Sequence, residues 1–256
     1  MNKMWASAIM GLALCGVAGA AAAGSSVTET RVIDARVVRI KLDGVINLHL
    51  KQGATPSLLL IGDKKAIDKV TTVQSGDTLQ IDLQNRQFFH FGHDNQNVRA
   101  ELTLPSLQEF ISRGVGEADV SGFGGDSVRL ELDGAGAVTV NSHYKNMDAR
   151  LSGVGSMKIN AGDSERVDLR LGGAGEIVIS GQSKVLHAKL GGVGSLDAQH
   201  LRAEAVDLNI SGVGGATVFA SNSADLKLSG LGSATVYGKP AKRNTDKSGL
   251  GGISWE

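Results

Sequence analysis

The sequence has little of what usually stabilises a disulfide-rich secreted protein or an enzyme with a large aromatic core. It contains 1 cysteine, 3 prolines and only 4% aromatic residues in 256 positions. A single cysteine excludes an intramolecular disulfide. The formal net charge is zero, which argues against a general nucleic-acid binder. We therefore expect no nucleic-acid partner.

Long apolar runs are absent except near the N-terminus. Lys3 precedes an almost wholly apolar stretch over residues 4–17, and four alanines follow at 20–23. This order predicts a secretory signal peptide over residues 1–23. The alternative is an uncleaved membrane anchor, although the run is shorter than the ~20 apolar residues that a spanning helix needs.

Cys15 allows a second alternative at the same end of the chain. Residues 12–15 partly resemble a lipobox, so lipidation at Cys15 would make the protein a lipoprotein, but Leu14 stands where a small residue is expected. We expect ordinary cleavage, after which no transmembrane segment remains. The predicted location is the periplasm or the cell surface.

Glycine is abundant, and it occurs in a repeat. The motif Gly-apolar-Gly occurs eight times between residues 114 and 251, and the steps between first glycines are 20, 19, 20, 19, 20, 18 and 19 residues. This regularity is typical of a solenoid. The glycines predicted to form bends include Gly134, Gly136, Gly153, Gly155, Gly173, Gly175, Gly192, Gly194, Gly212, Gly214, Gly230 and Gly232.

Apolar and polar residues alternate on both sides of each motif. Val167, Leu169 and Leu171 precede one copy at spacings of two, and alternation resumes after it at Ile177. This pattern is typical of strands with one buried face. We expect the phase to break at the glycines, so that the apolar residue between them, such as Ala174, points into the core.

The repeat predicts an all-β fold: a single-stranded parallel β-helix of about eight rungs of 18–20 residues, occupying residues 101–256. Stacked rungs should lie roughly 4.8 Å apart. Residues 24–100 lack the motif. Their short alternating runs, with a short helix starting at Asp63, predict a β-rich module that caps or extends the solenoid.

Two segments of this N-terminal module resemble a known family. Residues 42–53, Leu-Asp-Gly-Val-Ile-Asn-Leu-His-Leu-Lys-Gln-Gly, followed by residues 76–81, are similar to the start of the head GIN domain, described as a putative auto-transporter adhesin. Val45 interrupts a literal Gly-Ile-Asn, but the later Ser-Gly-Val-Gly repeats also resemble that family. The resemblance covers roughly residues 30–256. It implies an exported β-helical protein and no catalytic residues.

The repeat also predicts two columns of charged side chains. Five positions before each first glycine the residues are mainly acidic, and three positions before they are mainly basic. The columns contain Asp148, Arg150, Asp168, Arg170, Lys189, Asp207, Asp225 and Lys227. We interpret them either as a polar binding strip for a glycan or, by preference, as charges that compensate one another on a solvated sheet.

One segment of the N-terminal module combines aromatic residues with histidines. The residues concerned are Phe88, Phe89, His90, Phe91 and His93. A loop that packs between the two modules is the simplest interpretation. An aromatic tip that binds a partner is the alternative, and a metal site would want further ligands that the sequence does not indicate.

The sequence shows no convincing active site, and we expect a non-enzymatic binding or adhesion protein without metal or cofactor. A glycan or another envelope protein would be the partner. A periplasmic structural or envelope-maintenance role is the alternative. A calcium-dependent polysaccharide lyase or hydrolase is less favoured, because each rung places a cation beside its carboxylate. Near the C-terminus, Trp255 should cap the solenoid.

Overall fold

The computed structural model describes residues 26–83 and 98–256, which form a parallel β-helix of about 7 turns. This confirms the predicted fold class. In chain order the strands are β1 (Ser26–Arg31), β2 (Arg39–Asp43), β3 (Ile46–Gln52), β4 (Ser57–Asp63), β5 (Val70–Ser75), β6 (Thr78–Leu83), β7 (Val98–Leu104), β8 (Glu109–Ser112), β9 (Val115–Leu132), β10 (Ala135–Leu151), β11 (Val154–Leu171), β12 (Ala174–Leu190), β13 (Val193–Ile210), β14 (Val213–Leu228), β15 (Leu231–Tyr237), β16 (Lys242–Lys247) and β17 (Ile253–Trp255).

Each strand from β9 to β14 makes nearly one whole turn and pairs in parallel with the next. The register aligns equivalent repeat positions, so that Leu151 lies beside Leu171 and Leu171 beside Leu190. The alternating apolar residues predicted to face inward are buried, with Leu169 and Leu171 each 2% exposed. Burial of these stacked aliphatic columns forms a continuous core along the solenoid.

The N-terminal part continues the same stack. Strands β2 and β3 pair in parallel with β8 and β9, and Val45 bridges to Val115. The amide of Val115 donates to the carbonyl of Gly44 at 2.7 Å. Residues 43–45 therefore form a rung corner equivalent to the later glycine corners, although they lack the full motif. Strands β6 and β7 form the next layer below.

Antiparallel pairing closes this end of the stack. Strand β4 pairs antiparallel with both β1 and β7, and β5 pairs antiparallel with β6. The helix α1 (Lys64–Ile67) joins β4 to β5, and its N-cap Asp63 accepts a hydrogen bond from the amide of Lys65, as the sequence predicted. Ala66 and Ile67 are buried. The module thus both extends the stack and covers its end.

The glycine corners pack backbone directly on backbone. At Gly155 the backbone has φ +144°, and a Cβ there would overlap the carbonyl oxygen of Gly136 in the preceding rung. A Cβ on Gly153, the first glycine of the same motif, would likewise overlap the carbonyl oxygen of Gly134. Only a residue without a Cβ allows rungs to stack this closely at the corner.

One prediction about the corner is wrong. The residue between the two glycines faces solvent rather than the core: Val115 is 53%, Val154 62% and Val193 60% exposed. The alternation of burial does not break at the motif. From Leu151 to Met157 every second residue is the less exposed one, and the glycines occupy two of those positions.

The C-terminal end of the stack has a polar final strand. Strand β16 pairs with β14 and places Arg243, Thr245 and Lys247 in register with buried apolar residues of the rung below. Trp255 of β17 is in register with Val236 and packs against the core, and the guanidinium of Arg243 lies 4.7 Å from its ring centroid. Trp255 therefore covers part of the core, as predicted, while charged side chains occupy the edge.

Several predictions concern residues outside the described ranges. The signal peptide, Cys15 and the aromatic segment with Phe88, Phe89, His90, Phe91 and His93 belong to this group. Within the described residues, no helix combines the length and the apolar character needed to cross a membrane.

Candidate functional site

The two predicted charged columns lie side by side on one face of the solenoid, which we call the polar face. One column contains Asp148, Asp168, His187, Asp207 and Asp225 in adjacent rungs. The second column contains Arg150, Arg170, Lys189, Asn209 and Lys227. The structure therefore brings together all eight residues of the predicted strip, because the parallel register repeats at every turn.

Most carboxylates of the polar face have a partner within the protein. Arg170 reaches one rung back to Asp148 at 2.8 Å. Arg166 binds Asp168 through Nε at 2.7 Å. Nearer the C-terminal end, the partner of the carboxylate is a histidine instead of an arginine: the ring of His187 lies 3.3 Å from Asp207.

The pairing continues at the last rungs. The amide of Asn244 donates to Asp225 at 3.1 Å. Because these contacts are partly exposed, each stabilises the fold little. Their effect is to leave the acidic column without a group of carboxylates free to bind a cation. Among the described residues, no cluster of histidine, cysteine, aspartate and glutamate could hold a metal ion.

A groove of about 670 Å³ lies at the N-terminal end of the polar face. Its rim carries Arg39, Glu109, Arg129 and Asp148, which follow one column across four rungs. Gly124 and Gly125 contribute no side chains to its wall, which makes room for the cavity. The sequence repeat does not predict this groove, because the groove also depends on a contact between Tyr144 and Leu107, which are 37 residues apart.

A buried tyrosine closes the groove from below. Tyr144 is 2% exposed, and its hydroxyl donates a 2.6 Å hydrogen bond to the carbonyl of Leu107. Burial raises the pKa of Tyr144, so its hydroxyl stays protonated as a donor. The residues just before β8 are thereby attached to the second regular rung, and the groove has a fixed floor.

Charges lining the groove are paired as well. Arg129 binds Glu131 at 2.6 Å and lies 3.8 Å from Glu109, and the hydrogen bond to Glu131 raises the pKa of the Arg129 guanidinium. Arg39 pairs with Asp77 at 3.0 Å. The groove thus presents donors and acceptors whose charges are largely neutralised by neighbours, which suits hydrogen bonding to a polar ligand better than binding an isolated ion.

A second surface runs along the glycine corner. The residues between the paired glycines, together with Val45, form one exposed column that we call the apolar ladder. Its members are Val45, Val115, Ala135, Val154, Ala174, Val193, Val213, Leu231 and Leu250. At roughly 4.8 Å per rung the ladder is on the order of 40 Å long.

Comparison with known proteins assigns the family. Residues 38–240 match the family described as "Putative auto-transporter adhesin, head GIN domain". The chain belongs to this family. The match spans both the N-terminal rungs and the glycine repeats, as the resemblance in the sequence implied. Among curated proteins, none matches this chain.

Solved structures of low sequence identity share the fold of this family member. A putative lipid binding protein from Parabacteroides distasonis superposes with a TM-score of 0.78 at 20% identity, covering 90% of this chain and 97% of that one. A putative adhesin from Parabacteroides merdae gives 0.78 at 17% identity with the same coverage. A putative adhesin from Bacteroides fragilis gives 0.70 at 22% identity, covering 91% and 97%. At this identity, the likeness shows the fold alone.

Proposed function

We propose that this protein is an exported, non-enzymatic binding module of the cell envelope, and that its polar face takes a neutral polar polymer such as a glycan. Family membership supports export and a binding role, since the family is described in terms of adhesion. The groove of about 670 Å³ at the end of the polar face is the preferred site of contact.

The charge pairing in the groove is the observation that carries the proposal. The carboxylates of Glu109 and Asp148 face Arg129 and Arg170. A calcium-dependent lyase needs several carboxylates that are free to ligate the metal and a base near the scissile bond. Paired charges still offer hydrogen-bond donors and acceptors to hydroxyl groups, and repeated rungs present them at regular intervals along a polymer.

Binding to a glycan panel that includes peptidoglycan fragments tests this proposal. The replacement Ser127→Trp fills the groove from its exposed wall, and Thr139→Trp places the same side chain on an exposed strand position away from it. We expect only Ser127→Trp to weaken binding, by about tenfold or more, with no dependence on calcium. Equal binding by both variants would exclude the groove, and calcium-dependent cleavage of any glycan would exclude a non-enzymatic role.

Location on the cell separates adhesion from a structural role in the periplasm. Protease treatment of intact cells, compared with cells whose outer membrane is permeabilised, measures this directly. Digestion on intact cells would support adhesion. Digestion only after permeabilisation would contradict adhesion and support an envelope-maintenance role.

A further inference from the structure

The apolar ladder is an exposed hydrophobic surface that the proposed glycan site does not use. Leu231 is 56% and Leu250 78% exposed, and every described rung from Val45 onward adds an apolar side chain to the same line. Soluble monomers rarely expose a contiguous apolar patch of this length, and such patches usually mark a contact surface.

The strips on either side of the ladder are nearly free of charge over its C-terminal part. The residues before the first glycines are Ser152, Gly172, Gly191, Ser211, Ser229 and Ser248. Those after the second glycines are Ser156, Glu176, Ser195, Gly215, Ser233 and Gly252. Glu176 is the one charged residue among these twelve. A partner can therefore approach the ladder closely without desolvating many ionised groups.

We propose that the ladder is the interface of a homodimer in which two copies lie antiparallel, with a two-fold axis between Val154 and Ala174. The axis places Val154 opposite the partner's Ala174. It also places Ala135 opposite the partner's Val193. The larger side chain therefore meets the smaller one on both sides of the axis, since valine and alanine alternate in this part of the ladder.

The same axis places each charged residue beside the ladder opposite an uncharged residue of the partner. It places Glu117 opposite the partner's Gly215, and Glu176 opposite the partner's Ser156. It places Arg113 opposite the partner's Ser211. No like charges face each other in this register, and a two-fold axis makes all these contacts self-complementary. Equal rung spacing in the two copies keeps the pairs aligned along the stack.

The composition of the ladder favours a second copy over a lipid surface. Interfacial membrane-binding surfaces carry tryptophan or tyrosine and clusters of lysine and arginine at the headgroup level. The ladder and its flanking strips contain no aromatic residue, and Arg113 is their one cation. Apolar side chains flanked by glycine and serine match a second surface of the same kind.

The size of the surface sets the expected strength of the dimer. A strip five residues wide and about eight rungs long gives at most on the order of 600 Å² per copy, because the chain bends at the corner. A stable standard-size interface buries about 800 Å² per partner. We therefore expect a reversible dimer with a dissociation constant on the order of micromolar rather than a permanent one.

Sedimentation equilibrium of the purified protein over a range of concentrations tests the dimer. We expect Val154→Lys to weaken the dimer by at least about tenfold. The axis repeats the contact between Val154 and the partner's Ala174 on both of its sides, so the change introduces two lysines at the centre of the interface. Thr139→Lys makes the same change on an exposed strand position outside the ladder and should leave the dimer intact. A monomer at all concentrations, or a dimer unaffected by Val154→Lys, would overturn the proposal.

Disulfide trapping tests the register. On a Cys15→Ser background, Ala135→Cys and Val193→Cys are prepared separately and oxidised alone and as a mixture. The proposed axis brings these two positions together between copies, so we expect cross-linked dimers in the mixture and few in either variant alone. Cross-linking of each variant with itself would contradict the antiparallel register. Flotation of a monomeric protein with phospholipid vesicles would assign the ladder to a lipid surface instead. Neither result bears on glycan binding at the groove.

Discussion

The hydroxyl of Tyr144 donates a 2.6 Å hydrogen bond to the backbone carbonyl of Leu107. Leu107 precedes β8, whereas Tyr144 lies within β10, so this bond joins the non-repetitive N-terminal part to the regular rungs. Both residues are buried, each only 2% exposed. The groove of the polar face lies over this contact.

Tyr144→Phe should destabilise the protein by about 1–2 kcal/mol, because it leaves the carbonyl of Leu107 buried without a donor. The free energy of unfolding from urea titration measures the loss. Tyr237→Phe is the matched control, since Tyr237 is only partly buried and its hydroxyl makes no hydrogen bond among those found in the described residues. A similar loss in both variants would show that the Leu107 contact contributes nothing specific.

The decrease in unfolding free energy at alkaline pH should depend on Tyr144. Burial raises its pKa above the ordinary 10.0, so the folded state holds this proton at pH values where the unfolded state has released it. The resulting stability is fully present below about pH 10 and falls as the pH rises further. We expect a steeper fall for the wild type than for Tyr144→Phe in unfolding free energies measured between pH 9 and about 11.5. Parallel curves would contradict the burial effect.

Gly155→Ala should be among the most destabilising small changes in the chain. The new Cβ would overlap the carbonyl oxygen of Gly136, and φ at this position is +144°. We expect a loss of about 2–4 kcal/mol, measured by thermal or urea unfolding. Gly172→Ala is the control, because no neighbouring atom lies within 4 Å of the position that its new methyl group would occupy. It should change stability by less than about 0.5 kcal/mol.

The strand phase could be predicted from the sequence because it depends on local alternation. Val167, Leu169 and Leu171 are buried as expected, and the polar columns follow from the same register. The outward direction of Val154 was missed. Leu151 and Met157 are six residues apart, an even number, so an unbroken alternation already placed Val154 on the outer surface.

The groove could not be predicted because it depends on contacts between distant segments. Leu107 and Tyr144 are 37 residues apart, and no repeat relates them. The rung at residues 43–45 was also missed, since Gly44 lacks a second glycine after Val45. Its place in the stack is set by pairing with Val115 across an intervening set of strands. Long-range pairing of this kind leaves no periodic signal in the sequence.

Leu171→Asp should bury a carboxyl group without a partner and cost about 3–5 kcal/mol of unfolding free energy. Leu171 is 2% exposed in the core, between Leu151 and Leu190. Lys158→Asp introduces the same side chain at an exposed position of the same strand and should have an effect below about 1 kcal/mol. An unchanged melting temperature for Leu171→Asp would mean that the inward register is wrong.

The carboxyl of Asp168 should titrate differently once Arg166 is removed. Burial by itself raises the pKa of Asp168, but hydrogen bonds from Arg166 and the nearby charges of His187 and Arg170 outweigh burial and lower it. Arg166→Gln should therefore raise this pKa, which carboxyl-detected NMR titration measures.

Linkage fixes the sign of the accompanying change in stability. A depressed folded-state pKa contributes stability above the ordinary pKa of the carboxyl, and this contribution disappears as the pH falls through the folded value. Arg166→Gln should thus lose stability at neutral pH and approach the wild type in acid. Lys184→Gln, which removes an exposed partner of Glu165, is the control and should leave the Asp168 titration unchanged. If the pKa of Asp168 stayed low in Arg166→Gln, the nearby charges and not the Arg166 hydrogen bonds would be its cause.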